Sequence, residues 1–194
     1  ALDQITVYNE IRGTVRALGV STRRAKEVAT GYLEPDNQNL LASLEQIRSD
    51  FQAAIVYIMD RSGTVVISTR YGDGQSLTGK NYAFRPYFRE AMKGENVVYP
   101  AFGVTTNERG LYYSSPIFRE EKGPIQEIIG VAVIKMGMET VDDWFKGIAS
   151  PIAMVSSQGI IFAANRPDWV FRVAYPLTDK ELEALRDGSQ FGNL

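Results

Sequence analysis

Cysteine and histidine are both missing from this chain of 194 residues. Without them no thiolate or imidazole nucleophile, Cys/His zinc site or disulfide can be built. An absence of cysteine is compatible with an oxidising compartment and does not require one. Long hydrophobic runs are lacking too. The longest, Ile128 to Ile134, is interrupted by Gly130 and ends at Lys135, far short of the ~18 residues of a membrane span. No signal-peptide pattern is present. Nor does one sign of charge dominate, since 21 Lys and Arg stand against 23 Asp and Glu for a formal net charge of −2. No overall basic field is available to attract nucleic acid or an anionic membrane. Any anion site must be local. Dinucleotide, Walker and nucleophile-elbow motifs are absent, and the acidic pairs Glu120-Glu121 and Asp142-Asp143 are sequence neighbours that point apart.

What is present is enough apolar sequence, 44%, to bury a core over one or two domains. Helical spacing of apolar residues from Ile5 to Tyr32 predicts a long amphipathic helix over 1–36, broken at Glu34-Pro35-Asp36-Asn37. A second helix follows with Leu40, Leu41, Leu44, Ile47 and Phe51 on one face, capped by Asp36 or Asn37. The pattern then turns to strands. "AAIVYIMD" and "TVVIST" flank Arg61-Ser62-Gly63 as a hairpin. A polar loop over 71–80 leads to a short helix that starts at Pro86, and "NVVYPAFGV", "LYYSSPIF" and "EIIGVAVIKM" read as three more strands. The helix "METVDDWFKG" ends this module near Gly147. "VYIMDRSGTVVIS" then recurs as "IAMVSSQGIIFAA", with Gly63 opposite Gly159 and Asp60 opposite Ser156, which suggests a second copy of the same domain type. The expected fold is α+β: a long N-terminal helix (1–36), a PAS-like module with an antiparallel sheet (37–147) and a second, incomplete module (148–194). The chain begins within a helical pattern and stops at "QFGNL", so it reads as a soluble piece of a longer protein.

Within "GKNYAFRPYFREAMKG", Arg85 stands among Tyr82, Phe84, Tyr87 and Phe88 with Pro86 directly after it. Aromatic neighbours exclude water and fix the plane of a guanidinium, the setting for two parallel N–H···O bonds to a carboxylate. The bland alternative is an arginine stem packed on core rings. A cation at the positive end of a helix dipole favours a shared anion instead. Strand alternation puts Lys135 on one face with Ile129, Val131 and Val133. It groups Tyr99, Ala101, Gly103 and Thr105 on "YPAFGVTT", and on the next strand either Tyr113 with Ser115 or Tyr112 with Ser114. Between Val97 and Phe118 the one acidic residue is Glu108, in a turn. Arginine at one end, lysine at the other and hydroxyls between suit a small molecule with two negative ends. No activated nucleophile or matched acid/base pair appears, so an enzyme is the least favoured class. No cofactor or metal is expected.

"GKNYAFRPYFREAMKG", "YPAFGVTTNERGLYYSSPI" and "IIGVAVIKMGMETVDDW" resemble the extracytoplasmic double-Cache sensor region of bacterial signal transducers, in particular that of four-carbon dicarboxylate sensor histidine kinases. The tail "PDWVFRVAYPLTDKELEALRDGSQFG" resembles the second module of those sensors. The resemblance implies a ligand pocket in the first, membrane-distal module. Tyr82 and Arg85, with Tyr87 beside them, would hold one carboxylate. Gly103, Thr105, Tyr113 and Ser114 or Ser115 would line the middle, and Lys135 would take the other carboxylate. It further implies a periplasmic position, a homodimer through the first helix, and transmembrane helices and a cytoplasmic output domain elsewhere. The amino-acid-binding branch of the superfamily typically has tryptophan where Tyr87 stands and an aspartate for the amine, and no such aspartate is evident. A monocarboxylate or amino-acid sensor of a chemoreceptor or diguanylate cyclase, and a ligand-free dimerisation spacer, are the competing readings.

Overall fold

The computed structural model describes residues 13–15, 27, 29–31, 38–119, 127–187 and 190–191. Most of the expected first helix, the Asp36/Asn37 cap and the segment 120–126 lie outside them. Residues 13–15, 27 and 29 are helical, and Gly31 follows with a positive φ of 76°.

The chain packs as two units, 1–99 with 112–136 and 100–111 with 137–194. In the first, α1 (Gln38–Asp50) buries Leu40 and Leu44, spaced one helical turn apart, and packs on β1 (Ile55–Asp60) and β2 (Val65–Ser68). After α2 (Pro86–Ala91) come β3 (Val97–Phe102), β4 (Arg109–Phe118) and β5 (Ile128–Gly137). The five strands form one sheet in the order β2-β1-β5-β4-β3. β1 runs antiparallel to both neighbours, and its register against β5 sorts the side chains. Opposed residues share a face. Ile55 with Lys135, Tyr57 with Val133 and Met59 with Val131 therefore line one side. Val56 with Ile134 and Ile58 with Ala132 line the other. Gly130 belongs to that second face, where an added Cβ would meet the Met59 carbonyl and lie 3.0 Å from Ala29 Cβ. The helical residue Ala29 thus lies on the face away from Lys135.

Glu45 ties α1 to the chain after β2. Its carboxylate accepts from Arg48 Nε at 2.6 Å and from the Arg70 N–H at 3.0 Å. Partial burial works against ionisation, but these two hydrogen bonds outweigh it and hold the carboxyl below its ordinary 4.5. A carboxyl lowered in the folded state stabilises it above the unfolded value, and that contribution disappears as pH falls through the folded one. Urea titrations should accordingly find Glu45→Gln less stable than wild type at pH 7, by about 0.2–1 kcal/mol for so exposed a pair. The difference should shrink as the pH falls below 4.5 and vanish once Glu45 is protonated in the folded state as well.

In the second unit, β6 (Ala153–Val155) pairs antiparallel with β7 (Ile161–Ala164). α3 (Glu139–Lys146), a 3-10 turn at Pro167–Trp169 and α4 (Asp179–Asp187) complete it. Its core gathers Met138, Phe145, Ile160, Phe162, Ala163 and Phe191. The far ends of β3 and β4 bond into this unit. Arg109 grips Asp142 (Nη2 to Oδ2, 2.6 Å) and the Phe162 carbonyl (2.8 Å), while Gln190 Nε2 donates to the Pro100 carbonyl at 2.8 Å.

The two hairpins share more than the sequence match at their turns. Asp60 N–H donates to Thr64 O and Gly63 N–H to Asp60 O, as Ser156 N–H does to Ile160 O and Gly159 N–H to Ser156 O. Gly63 and Gly159 have φ of 81° and 82°, a left-handed backbone suited to glycine. The register slips between Ile58 and Met59 in one hairpin and between Met154 and Val155 in the other. The correspondence extends beyond the hairpins. Val65 exchanges bonds with Gly79 and Lys80, Ile161 with Phe171 and Arg172. Tyr82 N–H then donates to Gly63 O, and Ala174 N–H to Gly159 O, each at 2.8 Å.

Candidate functional site

Arg85 and Lys135 are the largest question the first unit poses, since both are almost wholly buried, at 2% and 1% exposure. Proline explains the backbone at Arg85. The residue before a proline avoids helical angles, and Arg85 sits at φ −72°, ψ 132° as the N-cap of α2, with Pro86 inside the helix. Its guanidinium carbon lies 5.3 Å from the Phe84 ring centroid. Lys135 Nζ lies 6.0 Å from the centroid of Tyr112.

A cluster of tyrosines connects the two cations. Tyr87, on α2, stacks on Tyr112 of β4 with centroids 5.1 Å apart and planes 9° from parallel. Its hydroxyl is 2.8 Å from that of Tyr57, and its ring is 6.1 Å from that of Tyr99. Tyr82 approaches Tyr57 at 6.4 Å. Burial pushes the phenols of Tyr57, Tyr87 and Tyr99 well above their ordinary value, with neighbouring rings adding to the effect at Tyr57 and Tyr87. At Tyr87 and Tyr99 the positive charge of Arg85 works against it. All three phenols are neutral at physiological pH and so remain hydrogen-bond donors as well as acceptors.

These contacts settle which side of the sheet is involved. Tyr57 shares its face with Lys135 through the β1–β5 register, and Tyr57 touches Tyr87 of α2. Arg85, at the start of α2, and Lys135, near the end of β5, thus belong to the same face. Ser114 joins them, its hydroxyl donating to the Tyr87 carbonyl at 3.1 Å. The side chains these contacts assign to the α2 face of the first unit are aromatic, hydroxyl-bearing, apolar or cationic.

Of the residues singled out in sequence, Tyr82, Arg85, Tyr87, Ser114 and Lys135 come together here. Tyr113 and Ser115 do not: with Tyr112 and Ser114 facing α2, alternation along β4 turns them, also buried, to the other face. Gly103 and Thr105 are not strand residues either. β3 ends at Phe102, and Gly103 closes a turn by donating to Glu108 O at 2.9 Å and accepting from Asn107 N–H at 2.8 Å. Both belong to the second unit. Tyr57 and Tyr99 complete the cluster. Tyr57 is hidden in sequence by its apolar run, and only its even spacing from Ile55 and Met59 marks a shared face. Among the described residues no group of three or more acidic side chains could hold a metal ion, and no helix is long and apolar enough to cross a membrane.

No family model matches the chain. It is 30% identical to the C4-dicarboxylate transport sensor protein DctB of Rhizobium meliloti over 181 residues, 92% of this chain. The chain spans 28% of that relative's length. Among solved structures, the sensor domain of the V. cholerae histidine kinase DctB superposes with a TM-score of 0.80 at 24% identity, covering all of this chain and 72% of that one. The sensory domain of the Campylobacter jejuni chemoreceptor Tlp3 with isoleucine bound gives 0.58 at 17%, covering 93% of this chain and 73% of the other.

Proposed function

We propose that this chain, a homologue of the DctB sensor proteins, is the ligand-sensing part of a membrane-bound histidine kinase and binds a small dicarboxylate of four carbons. The observation that carries the reading is the placement of two buried cations, Arg85 and Lys135, on one face of the sheet beside the Tyr87–Tyr112 stack. Arg85 offers a fork of donors to one carboxylate, and Lys135 a point charge to the other. The hydroxyls of Tyr82 and Tyr87 are candidates to meet the oxygens between, while Ser114 holds the Tyr87 carbonyl. Burial strengthens each such bond, and several together support micromolar affinity.

In this reading the domain sits outside the cytoplasm, the N-terminal helix makes a homodimer, and the chain itself has no catalytic part. The second unit is a second copy of the first module, on the strength of the matching turn, register slip and hydrogen bonds. Lys135 is two residues from Gly137, where the chain passes into that unit. A ligand carboxylate drawing on Lys135 pulls on β5 just before that passage, which biases two signalling states. Calorimetry on the 194-residue chain tests the ligand class. Succinate should bind with micromolar affinity, and acetate, alanine and isoleucine more weakly by orders of magnitude. Binding of an amino acid in preference to succinate would replace this reading with that of an amino-acid sensor.

A further inference from the structure

The turn between β1 and β2 carries side-chain hydrogen bonds for which ligand contact gives no reason. Asp60 Oδ1 accepts from the Ser62 N–H at 2.8 Å, the Ser62 hydroxyl at 2.6 Å and the Thr64 N–H at 3.0 Å. Asn81 Nδ2 donates to the Ser62 carbonyl at 2.9 Å and to Thr64 Oγ1 at 3.0 Å. The Asn81 side-chain carbonyl in turn accepts the Ala83 N–H at 3.0 Å. Glycine at 63 lets the segment seat closely, since a Cβ there would lie 2.6 Å from the Ala83 nitrogen. The next bond along the chain is Arg85 N–H to Tyr82 O, at 2.9 Å. The Asp60 bonds shape the turn, and the ties from Asn81 and Tyr82 fasten residues 81–83 to it shortly before the arginine.

The second unit provides an internal control. Its hairpin keeps the backbone bonds of the first, with the bridge Ile160–Val173 in the place of Thr64–Asn81. The side-chain clamp is gone. Val173 stands for Asn81, Ile160 for Thr64 and Gln158 for Ser62. Ser156, in place of Asp60, keeps a single bond from the Ile160 N–H at 3.2 Å. Counting on from Ala174 as the counterpart of Tyr82, Leu177 takes the place of Arg85, and it packs against an apolar core. The fold of the turn therefore needs only the backbone bonds. The polar clamp occurs where the arginine occurs.

We propose that Asn81, with Thr64, is a positioning residue that fixes the backbone before Arg85 and thereby aims its guanidinium. This rests on the reading of Arg85 as the carboxylate anchor, and the test separates the two ideas. Asn81→Val installs the side chain that the second unit carries at this place, and Thr64→Val removes one acceptor. Three quantities are measured on the 194-residue chain: thermal unfolding without ligand, the heteronuclear NOE of the Arg85 Nε–H, and succinate affinity by calorimetry. Asn81→Val should unfold close to the wild-type temperature, lower the Arg85 NOE and weaken succinate binding about tenfold or more, because a small misplacement of a binding group is costly. Thr64→Val should move both readouts the same way by less. Unchanged NOE and unchanged affinity in a folded variant would overturn the proposal. If Asn81→Val fails to fold, Thr64→Val decides by the same pair. Wild type that gives no heat with succinate, yet loses Arg85 order in Asn81→Val, keeps the clamp and removes the dicarboxylate reading.

Discussion

Arg85→Ala is expected to abolish measurable binding of succinate while leaving a folded domain. The guanidinium offers two parallel bonds to a carboxylate, and each charge-assisted bond contributes about 1.5–3 kcal/mol. Losing both corresponds to about 3 kcal/mol at the least, or a weakening of at least about a hundredfold. A micromolar ligand would then bind too weakly for routine calorimetry. The variant also removes a large buried side chain at 2% exposure, so some stability is lost with it. Arg85→Lys separates the two effects. Lysine fills much of the space and keeps the charge, but it has no planar fork, so it should restore thermal stability more than affinity. Binding that survives Arg85→Ala within a few fold would remove the arginine from the site and return it to the bland role of a cation packed on Phe84.

How much of this was legible before any coordinates depended on the kind of signal. Alternation named the face of Lys135 correctly, with Val131 and Val133 beside it, because β5 is a regular strand throughout. The same rule misread Gly103 and Thr105. Small and polar residues at every second position look like a strand, but the chain turns there, and Asn107 takes a positive φ of 54° to close the hairpin. On β4 the sequence left two phases open, because a pair of adjacent tyrosines followed by a pair of adjacent serines is symmetric under a shift of one residue. The stacking of Tyr112 on Tyr87 and the bond from Ser114 to the Tyr87 carbonyl break that symmetry. The matching hairpins could be seen by eye, whereas their continuation to Tyr82 and Ala174 could not. The intervening loop is four residues shorter after the second hairpin, and the side chains at matching places are chemically unlike. The correspondence is carried by backbone hydrogen bonds, to which side-chain identity gives no clue. The division into units was hidden for a related reason: Arg109 and Asp142 are far apart in sequence, and nothing local announces that they meet.

Lys135→Met should produce a different loss from Arg85→Ala, and the difference is the more searching test of two cations on one face. Methionine keeps an unbranched stem of similar volume in the strand while removing the ammonium. Comparing succinate with butyrate isolates the second carboxylate, since the two ligands differ at one end only. The wild-type domain should prefer succinate by about ten- to a hundredfold, the worth of one charge-assisted bond in a buried setting. In Lys135→Met that preference should collapse towards one, with succinate weakened and butyrate little changed. Arg85→Ala, by contrast, should weaken both ligands together. The contrast holds because Lys135 lies near the far end of β5, opposite Ile55, while Arg85 enters from α2 across the Tyr87–Tyr112 stack. Two anchors reached through different elements can each be removed without disturbing the other. An unaltered succinate-to-butyrate ratio in a folded Lys135→Met variant would show that the ammonium takes no part. The diacid reading would then give way to a site that recognises one carboxylate through Arg85 alone.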